Sequence, residues 1–293
     1  MKKILVATDF SPHADRALAH ALELAKLFSA GLELFSSGYI PAPALAAVSL
    51  GMAPGLIGQA RSETAQKVET LAATLRARGF EAASSTSTEE PAAAITERAA
   101  ELGADLVAVG TRGHTGLAHV LLGSVAERVA QLARAAVLTA HADSPAPAPY
   151  RSVLVPTDFS PDSDAAVAWA RALVARTGGR LVLLHAYDLP SIAVTGSGFA
   201  VASVEKALAD SARQKLGELR ESLSGIQVET VISAAQPDPA IFEAIERMHA
   251  DAVVMGTRGR TGLAHVLMGS TAERVIRRAH VPVISVKAAS PKL

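Results

Sequence analysis

The sequence predicts an α/β protein made of two tandem doubly wound domains, each a five-stranded parallel sheet flanked by helices. Three observations carry that prediction: an internal repeat of domain length, alternation of β-rich and helical patterns within each copy, and a core composition poor in aromatic residues.

The repeat is direct. Ile4-Leu5-Val6-Ala7-Thr8-Asp9-Phe10-Ser11-Pro12 returns as Val153-Leu154-Val155-Pro156-Thr157-Asp158-Phe159-Ser160-Pro161. The stretch from Val109 to Val129 and that from Met255 to Val275 differ only at Val109/Met255, His114/Arg260, Leu122/Met268 and Val125/Thr271. Self-similarity at this period marks a duplicated domain. Ala142-Asp143-Ser144-Pro145-Ala146-Pro147-Ala148-Pro149 lies between the copies, and its alternating prolines favour an extended, semi-rigid connector. The expected division is residues 1–142, a Pro/Ala linker over 143–150, and residues 151–293.

Within each copy, short apolar runs rich in β-branched residues alternate with longer segments of helical period, as in βαβ units feeding a parallel sheet. In the second copy strands are expected at 152–157, 180–187, 226–233, 251–256 and 281–287. Helices are expected at 161–176, 201–223, 239–249 and 270–279. In the first copy strands are expected near 3–8, 32–37, 80–86, 105–110 and 136–140. Phe35-Ser36-Ser37-Gly38 and Ala83-Ser84-Ser85-Thr86-Ser87-Thr88 hold few large apolar side chains, so the first sheet is expected to pack less well around its crevice.

The 293 residues are 49% hydrophobic but only 4% aromatic, the Ala/Val/Leu/Ile core of a helix-covered parallel sheet. Lys plus Arg equals Asp plus Glu at 28 each, so no global field would draw nucleic acid or an anionic membrane. No cysteine is present, which excludes a disulfide framework, a thiolate metal site and a cysteine nucleophile. Asp9 breaks the N-terminal apolar run well short of a signal-peptide core. The expectation is a cytoplasmic protein with neither nucleic acid nor membrane as partner.

The residues that carry chemistry begin where the fourth strand of each copy ends. Gly110-Thr111-Arg112-Gly113 is followed by Gly123-Ser124, and Gly256-Thr257-Arg258-Gly259 by Gly269-Ser270. In open parallel sheets ligands bind beyond the carboxyl ends of the strands. Glycines allow close approach of a phosphate, and a Gly-Ser pair opening a helix offers free N–H groups and a favourable dipole. The alternative is that the glycines only make turns and the serines only cap helices. Asp9 and Asp158 end the first strands and face the same crevice. Ser11-Pro12 and Ser160-Pro161 already supply N-cap and N1 residues. Arg112 and Arg258 either add charge to the phosphate end or point to solvent, and His119 and His265 are assigned to packing. His13, Asp15, His20 and Glu23 share one helix and are assigned to a solvated face rather than to a metal. No catalytic residue and no metal ligand stands out.

These residues resemble the universal stress protein family: Asp-Phe-Ser after the first strand and Gly-x2-Gly-x9-Gly-Ser after the fourth, twice, in the tandem arrangement. The resemblance implies strand order 3-2-1-4-5 in each domain, with the domains paired through their fifth strands as an intramolecular pseudo-dimer; association into a homodimer is compatible with it. It implies ATP, or ADP or AMP, as ligand, with Mg2+ as a companion ion, and a role in stress response or signalling. Asp158 would contact adenine or ribose, Pro156 would belong to the adenine pocket, and Ala186 would read adenine through its backbone. Gly256, Gly259, Gly269, Ser270 and Thr271 would hold phosphates. The first copy matches at Asp9, Gly110, Gly113, Gly123, Ser124 and Val125, with Ala7 for Pro156 and Ser37-Gly38 for His185-Ala186. The second domain is therefore the stronger expected site. Two alternatives stay open: a slow ATP-hydrolysing enzyme on the same fold, and an adaptor that no longer binds nucleotide.

Overall fold

The computed structural model describes residues 1–40, 55–113, 123–147, 149–188, 198–259, 268–291 and 293, with backbone only at 56 and 198–202. His119 and His265 lie outside the described residues. The chain divides into two compact units, Met1–Ala146 and Pro147–Leu293.

In the first unit the order is β1 (Lys3–Ala7), α1 (Pro12–Phe28), β2 (Gly31–Ser37), α2 (Leu56–Ala77), β3 (Ala82–Ser87), α3 (Pro91–Leu102), β4 (Leu106–Gly110), α4 (Ser124–Leu132) and β5 (Ala136–Ala140). The second unit repeats it as β6 (Ser152–Pro156), α5 (Pro161–Thr177), β7 (Arg180–Ala186), α6 (Gly198–Ser222), β8 (Gln227–Ser233), α7 (Pro237–Arg247), β9 (Ala252–Gly256), α8 (Ser270–Arg278) and β10 (Val283–Val286). The sheets run β3-β2-β1-β4-β5 and β8-β7-β6-β9-β10. The pairings within each are parallel. This is the 3-2-1-4-5 order implied by the resemblance. The order reverses between the first and fourth strands of each unit, which opens a crevice at their carboxyl ends.

The central strands are apolar without alternation, because helices cover both faces. Ile4, Leu5, Val6, Leu106, Val107 and Ala108 are inaccessible in the first unit, and Val153, Leu154, Val155, Ala252, Val253 and Val254 in the second. Burying each of the larger side chains contributes about 1.5–3 kcal/mol. The first helix of each unit starts as its sequence dictates. Ser11 Oγ accepts from the Ala14 amide and Ser160 Oγ from the Ser163 amide, with a proline at the first helical position. α1 ends on left-handed Ser29 and α5 on left-handed Gly178, which supply the reversed dihedrals a helix stop requires.

Two expectations are corrected here. The second strand of the first unit is not weakly packed: Leu32 through Ser36 are all buried. Its polar residue Glu33 is accommodated because Arg98 of α3 grips both carboxylate oxygens, at 2.6 and 3.0 Å, and Ser85 donates to one of them at 2.5 Å. α1 does not turn His20 to a solvated face either; His20 is 2% exposed, and burial pushes its pKa down to about 4.

Candidate functional site

The exit from the first strand is a turn built by side chains. Thr157 Oγ1 accepts the Phe159 amide at 3.0 Å, and Asp158 Oδ1 accepts the Ser160 amide at 3.1 Å. Thr8 and Asp9 do the same for Phe10 and Ser11, both at 3.0 Å. These two interlocked i→i+2 bonds hold Phe159 at φ 61° and Phe10 at φ 62°, in the left-handed region. That conformation costs an L-residue about 1–2 kcal/mol. Phe159 packs against His185 in a tilted arrangement with ring centroids 4.7 Å apart, and Lys215 Nζ lies 5.3 Å from its centroid. The aspartates thus spend one oxygen on the turn, a structural duty beyond the capping already supplied by the serines. The other oxygen meets the glycine loop: a Cβ on Gly259 would stand 2.7 Å from Asp158 Oδ2, and one on Gly113 would stand 2.6 Å from Asp9 Oδ2.

The glycines have different reasons. Gly256 is required by α5, since a Cβ there would fall 2.8 Å from the carbonyl carbon of Asp162 and 2.9 Å from the Ser163 nitrogen. Gly110 is pressed in the same way against His13 and Ala14. Gly269 and Gly123 take the N-cap position of α8 and α4, and no side chain caps either helix. Each donates its amide to the loop, Gly269 to the Thr257 carbonyl and Gly123 to the Thr111 carbonyl, both at 2.8 Å. Ser270 and Ser124 are the first helical residues rather than caps. The N–H groups of Ser270, Thr271 and Ala272 lie in the turn where a helix has no acceptors of its own, and their residues line a cavity.

That cavity, ≈ 320 Å³, is bounded by the carboxyl ends of β6, β7 and β9 and the starts of α7 and α8. Every residue expected at the second-copy site lines it: Pro156, Asp158, Ala186, Gly256, Gly259, Gly269, Ser270 and Thr271. Leu184, Pro237, Ile241 and Met255 form apolar lining that motif reading did not single out. Of these, Ile241 is a helical-period core residue and Leu184 and Met255 are strand-end residues; pairing them with the loops needed the sheet register.

In the first unit Asp9, Gly110, Gly113, Gly123, Ser124 and Val125 occupy the equivalent places. Val125 lacks the hydroxyl of Thr271, and α4 begins with the same uncapped turn. The register corrects one correspondence. Ala7 pairs with Phe35 and Pro156 with Leu184, so Ser36 stands where His185 does and Ser37 where Ala186 does, one residue earlier than the expected Ser37-Gly38. The apolar wall there carries buried Phe35 in place of Leu184.

Arg258 lines the cavity, and its guanidinium is tied to Asp162. Its Nε lies 3.2 Å from Asp162 Oδ2, and its own amide donates to the same oxygen at 3.2 Å. Asp162, 5% exposed, also accepts from Thr257 Oγ1 at 3.1 Å and the Ala288 amide at 2.9 Å. Burial works to raise its pKa, but the Ala288 amide, Arg258 and Thr257 together hold it below the ordinary carboxylate range. Sequence reading passed over Asp162 because its counterpart is a different residue type, His13. The signal was that substitution itself, immediately after the paired prolines Pro12 and Pro161.

Among the described residues no cluster of three or more His, Cys, Asp or Glu is arranged for a metal, and no helix is long and apolar enough to cross a membrane.

Fold and repeat together define a tandem, doubly wound α/β protein, and the chain belongs to the universal stress protein family, whose sequence profile matches residues 1–141 and 149–287. A universal stress protein of Mycolicibacterium smegmatis is 28% identical over 97% of this chain and 96% of its own length. Universal stress protein Rv2005c of Mycobacterium tuberculosis is 33% identical over 184 residues, and the match spans only 61% of that relative's length. The crystal structure of a universal stress protein from Archaeoglobus fulgidus superposes with a TM-score of 0.70 at 26% identity, covering 98% of both chains.

Proposed function

We propose that the second unit binds an adenine nucleotide, ATP or its di- or monophosphate, and that the chain acts as a nucleotide-responsive stress or signalling protein rather than as an enzyme. What supports this reading above all is the convergence of a carboxylate, a glycine loop and an uncapped helix start on one cavity of ≈ 320 Å³. Its apolar wall, Pro156, Leu184, Pro237, Ile241 and Met255, suits a flat base. The Ala186 backbone would meet a base edge, and the Asp158 carboxylate would meet a ribose hydroxyl. Phosphates would lie over Gly256–Gly259 and the first turn of α8, where amides and the Ser270 and Thr271 hydroxyls donate and the dipole favours negative charge. Asp158 is the one carboxylate among the described lining residues, so Mg2+ would be carried chiefly by the phosphates.

A hydrolytic reading has less support, because no lysine and no second carboxylate or histidine is among the described lining residues to activate water. The first unit retains the phosphate-end glycines and Asp9 but carries Phe35, Ser37 and Val125 where the second has Leu184, Ala186 and Thr271. We assign it the weaker site.

The test is mass spectrometry of small molecules retained by the purified full chain, followed by calorimetric titration with ATP, ADP and AMP. Binding that Gly269→Val weakens about tenfold or more, while Gly123→Val weakens it less, is expected. Absence of binding by either unit at millimolar ATP overturns the reading, and steady phosphate release lost in Gly269→Val would make the protein an ATPase.

A further inference from the structure

The two units share one hydrogen-bonded frame beneath the glycine loop, but the acceptor at its centre differs. In the second unit Asp162 Oδ1 accepts the Ala288 amide at 2.9 Å and Oδ2 accepts from Thr257 Oγ1 at 3.1 Å. In the first unit His13 stands at the same place on α1. Its Nδ1 accepts the Ala142 amide at 3.1 Å and lies 3.1 Å from Thr111 Oγ1. The backbone surroundings correspond, while the second unit adds donation from the Arg258 amide and guanidinium to Asp162 and the first adds a 3.1 Å contact between Thr111 Oγ1 and His141 Nδ1. Thr111 takes the Ala140 carbonyl and Thr257 the Val286 carbonyl. The turn after the fifth strand closes through Ser144 Oγ on the His141 amide in one unit, and through Ser290 Oγ on the Lys287 amide in the other.

A backbone N–H can only donate, so the Ala142 bond requires an unprotonated Nδ1 and places the ring proton of His13 on Nε2. An imidazolium has no lone pair left to accept with. The carboxylate of Asp162 keeps its lone pairs through the whole range in which a histidine titrates.

We propose that His13, Thr111 and the turn from His141 to Ser144 form an acid-released latch on the first unit's glycine loop, one that the second unit lacks because Asp162 replaces the imidazole. Release is transmitted locally: Gly110 packs on the backbone of His13, where a Cβ would stand 2.6 Å from its carbonyl carbon. Loss of the Ala142 bond therefore loosens both the turn from Gly110 to Gly113 and the segment entering the linker.

The charged and titratable groups facing His13 come from every neighbouring element. His141, whose ring centroid is 6.1 Å away, follows β5; Arg112 comes from the glycine loop, Asp143 from the turn and Asp9 from the strand exit. Burial lowers the His13 pKa most, and His141 and Arg112 lower it further against the opposing pull of Asp143 and Asp9. Since the folded pKa lies below the unfolded value, the unfolded chain binds more protons below about pH 6.5. The latch therefore contributes fully above that pH and is lost as pH falls through the folded pKa.

The frame stands without any ligand. Its consequence for the first unit's site, weaker binding in acid, rests on the nucleotide reading.

The test is amide hydrogen exchange of the full chain without nucleotide, at about pH 5 and about pH 7.5, corrected for the intrinsic pH dependence of exchange. Protection at Ala142 and over 110–113 should fall about tenfold in acid, the scale of one or two hydrogen bonds, while Ala288 and 256–259 keep theirs. His13→Asp should abolish the response, and Asp162→His should confer it on the second unit. If His13→Asp fails to fold, His13→Asn supplies a non-titrating acceptor. Parallel behaviour of Ala142 and Ala288, or an unchanged response in the His13 variants, overturns the latch, whatever the nucleotide titrations give.

Discussion

The carboxylate of Asp158 is packed against the α-carbon of Gly259, close enough that a Cβ there would stand 2.7 Å from Oδ2. Asp158 is also fixed at Oδ1 by the Ser160 amide, so it cannot swing aside without opening the turn. Gly259→Ala is therefore expected to displace the oxygen that faces the cavity. Calorimetry should show nucleotide affinity reduced about tenfold or more, with thermal stability lowered by about 1 kcal/mol. Unchanged affinity would remove Asp158 from the binding reading.

At the start of α8 stability and affinity should move in opposite directions. Ser270→Asp puts a carboxylate on an uncapped helix N-terminus, which is expected to stabilise the free protein by about 0.3–1 kcal/mol. The same charge should repel phosphates and abolish nucleotide binding in the second unit. Thermal melts beside titrations read both, and a variant that melts higher yet binds normally would place the phosphates elsewhere.

Buried Glu33 and half-buried Arg98 give a stability test away from the site. Burial alone would raise the Glu33 pKa, but hydrogen bonds from Arg98 and Ser85 outweigh it and the pKa is lowered. The pair's contribution is thus present above the unfolded glutamate range and lost as pH falls through the folded value. Arg98→Met should cost about 2–3 kcal/mol near neutrality, because a buried carboxylate loses its charged donors. Urea melts should show that deficit shrinking in acid.

Lys287 loses its proton at lower pH than an ordinary surface lysine. Burial, reinforced by Arg258 and opposed by Asp162, brings its pKa down to about 8. The unfolded chain then holds this proton from about pH 8 to its ordinary value of about 10.4, so the destabilisation by Lys287 is full below that window and is relieved as pH rises through it. Lys287→Met should stabilise the protein near neutrality, with the gain vanishing toward pH 10. A gain independent of pH would contradict the assignment.

The fold was legible because each signal was local and doubled: apolar runs without alternation for β1, β4, β6 and β9, and Ser-Pro helix starts before α1 and α5. The glycine side of the candidate site was legible for the same reason, since Gly256, Gly259, Gly269 and Ser270 lie close together in the sequence. The apolar wall was not, because Leu184, Ile241 and Met255 come from three elements and meet only once the strands are in register. Matching Ser37 to the place Ala186 holds in the other unit needed that register as well, because Ser36-Ser37-Gly38 aligns by residue type with His185-Ala186 in more than one way. His20 was misjudged because a polar residue at helical spacing between alanines reads as surface unless the covering segment is known.

The left-handed dihedrals of Phe10 and Phe159 have a consequence for how this turn can vary. On backbone grounds glycine would suit either place better, and the aromatic ring is what argues against it, by its packing against His185 in one unit and its proximity to Lys67 in the other. Phe159→Gly should relax the main chain while loosening the floor under the second strand's end. The turn is thus a point where comfort of the peptide and the contacts of the aromatic side chain are opposed.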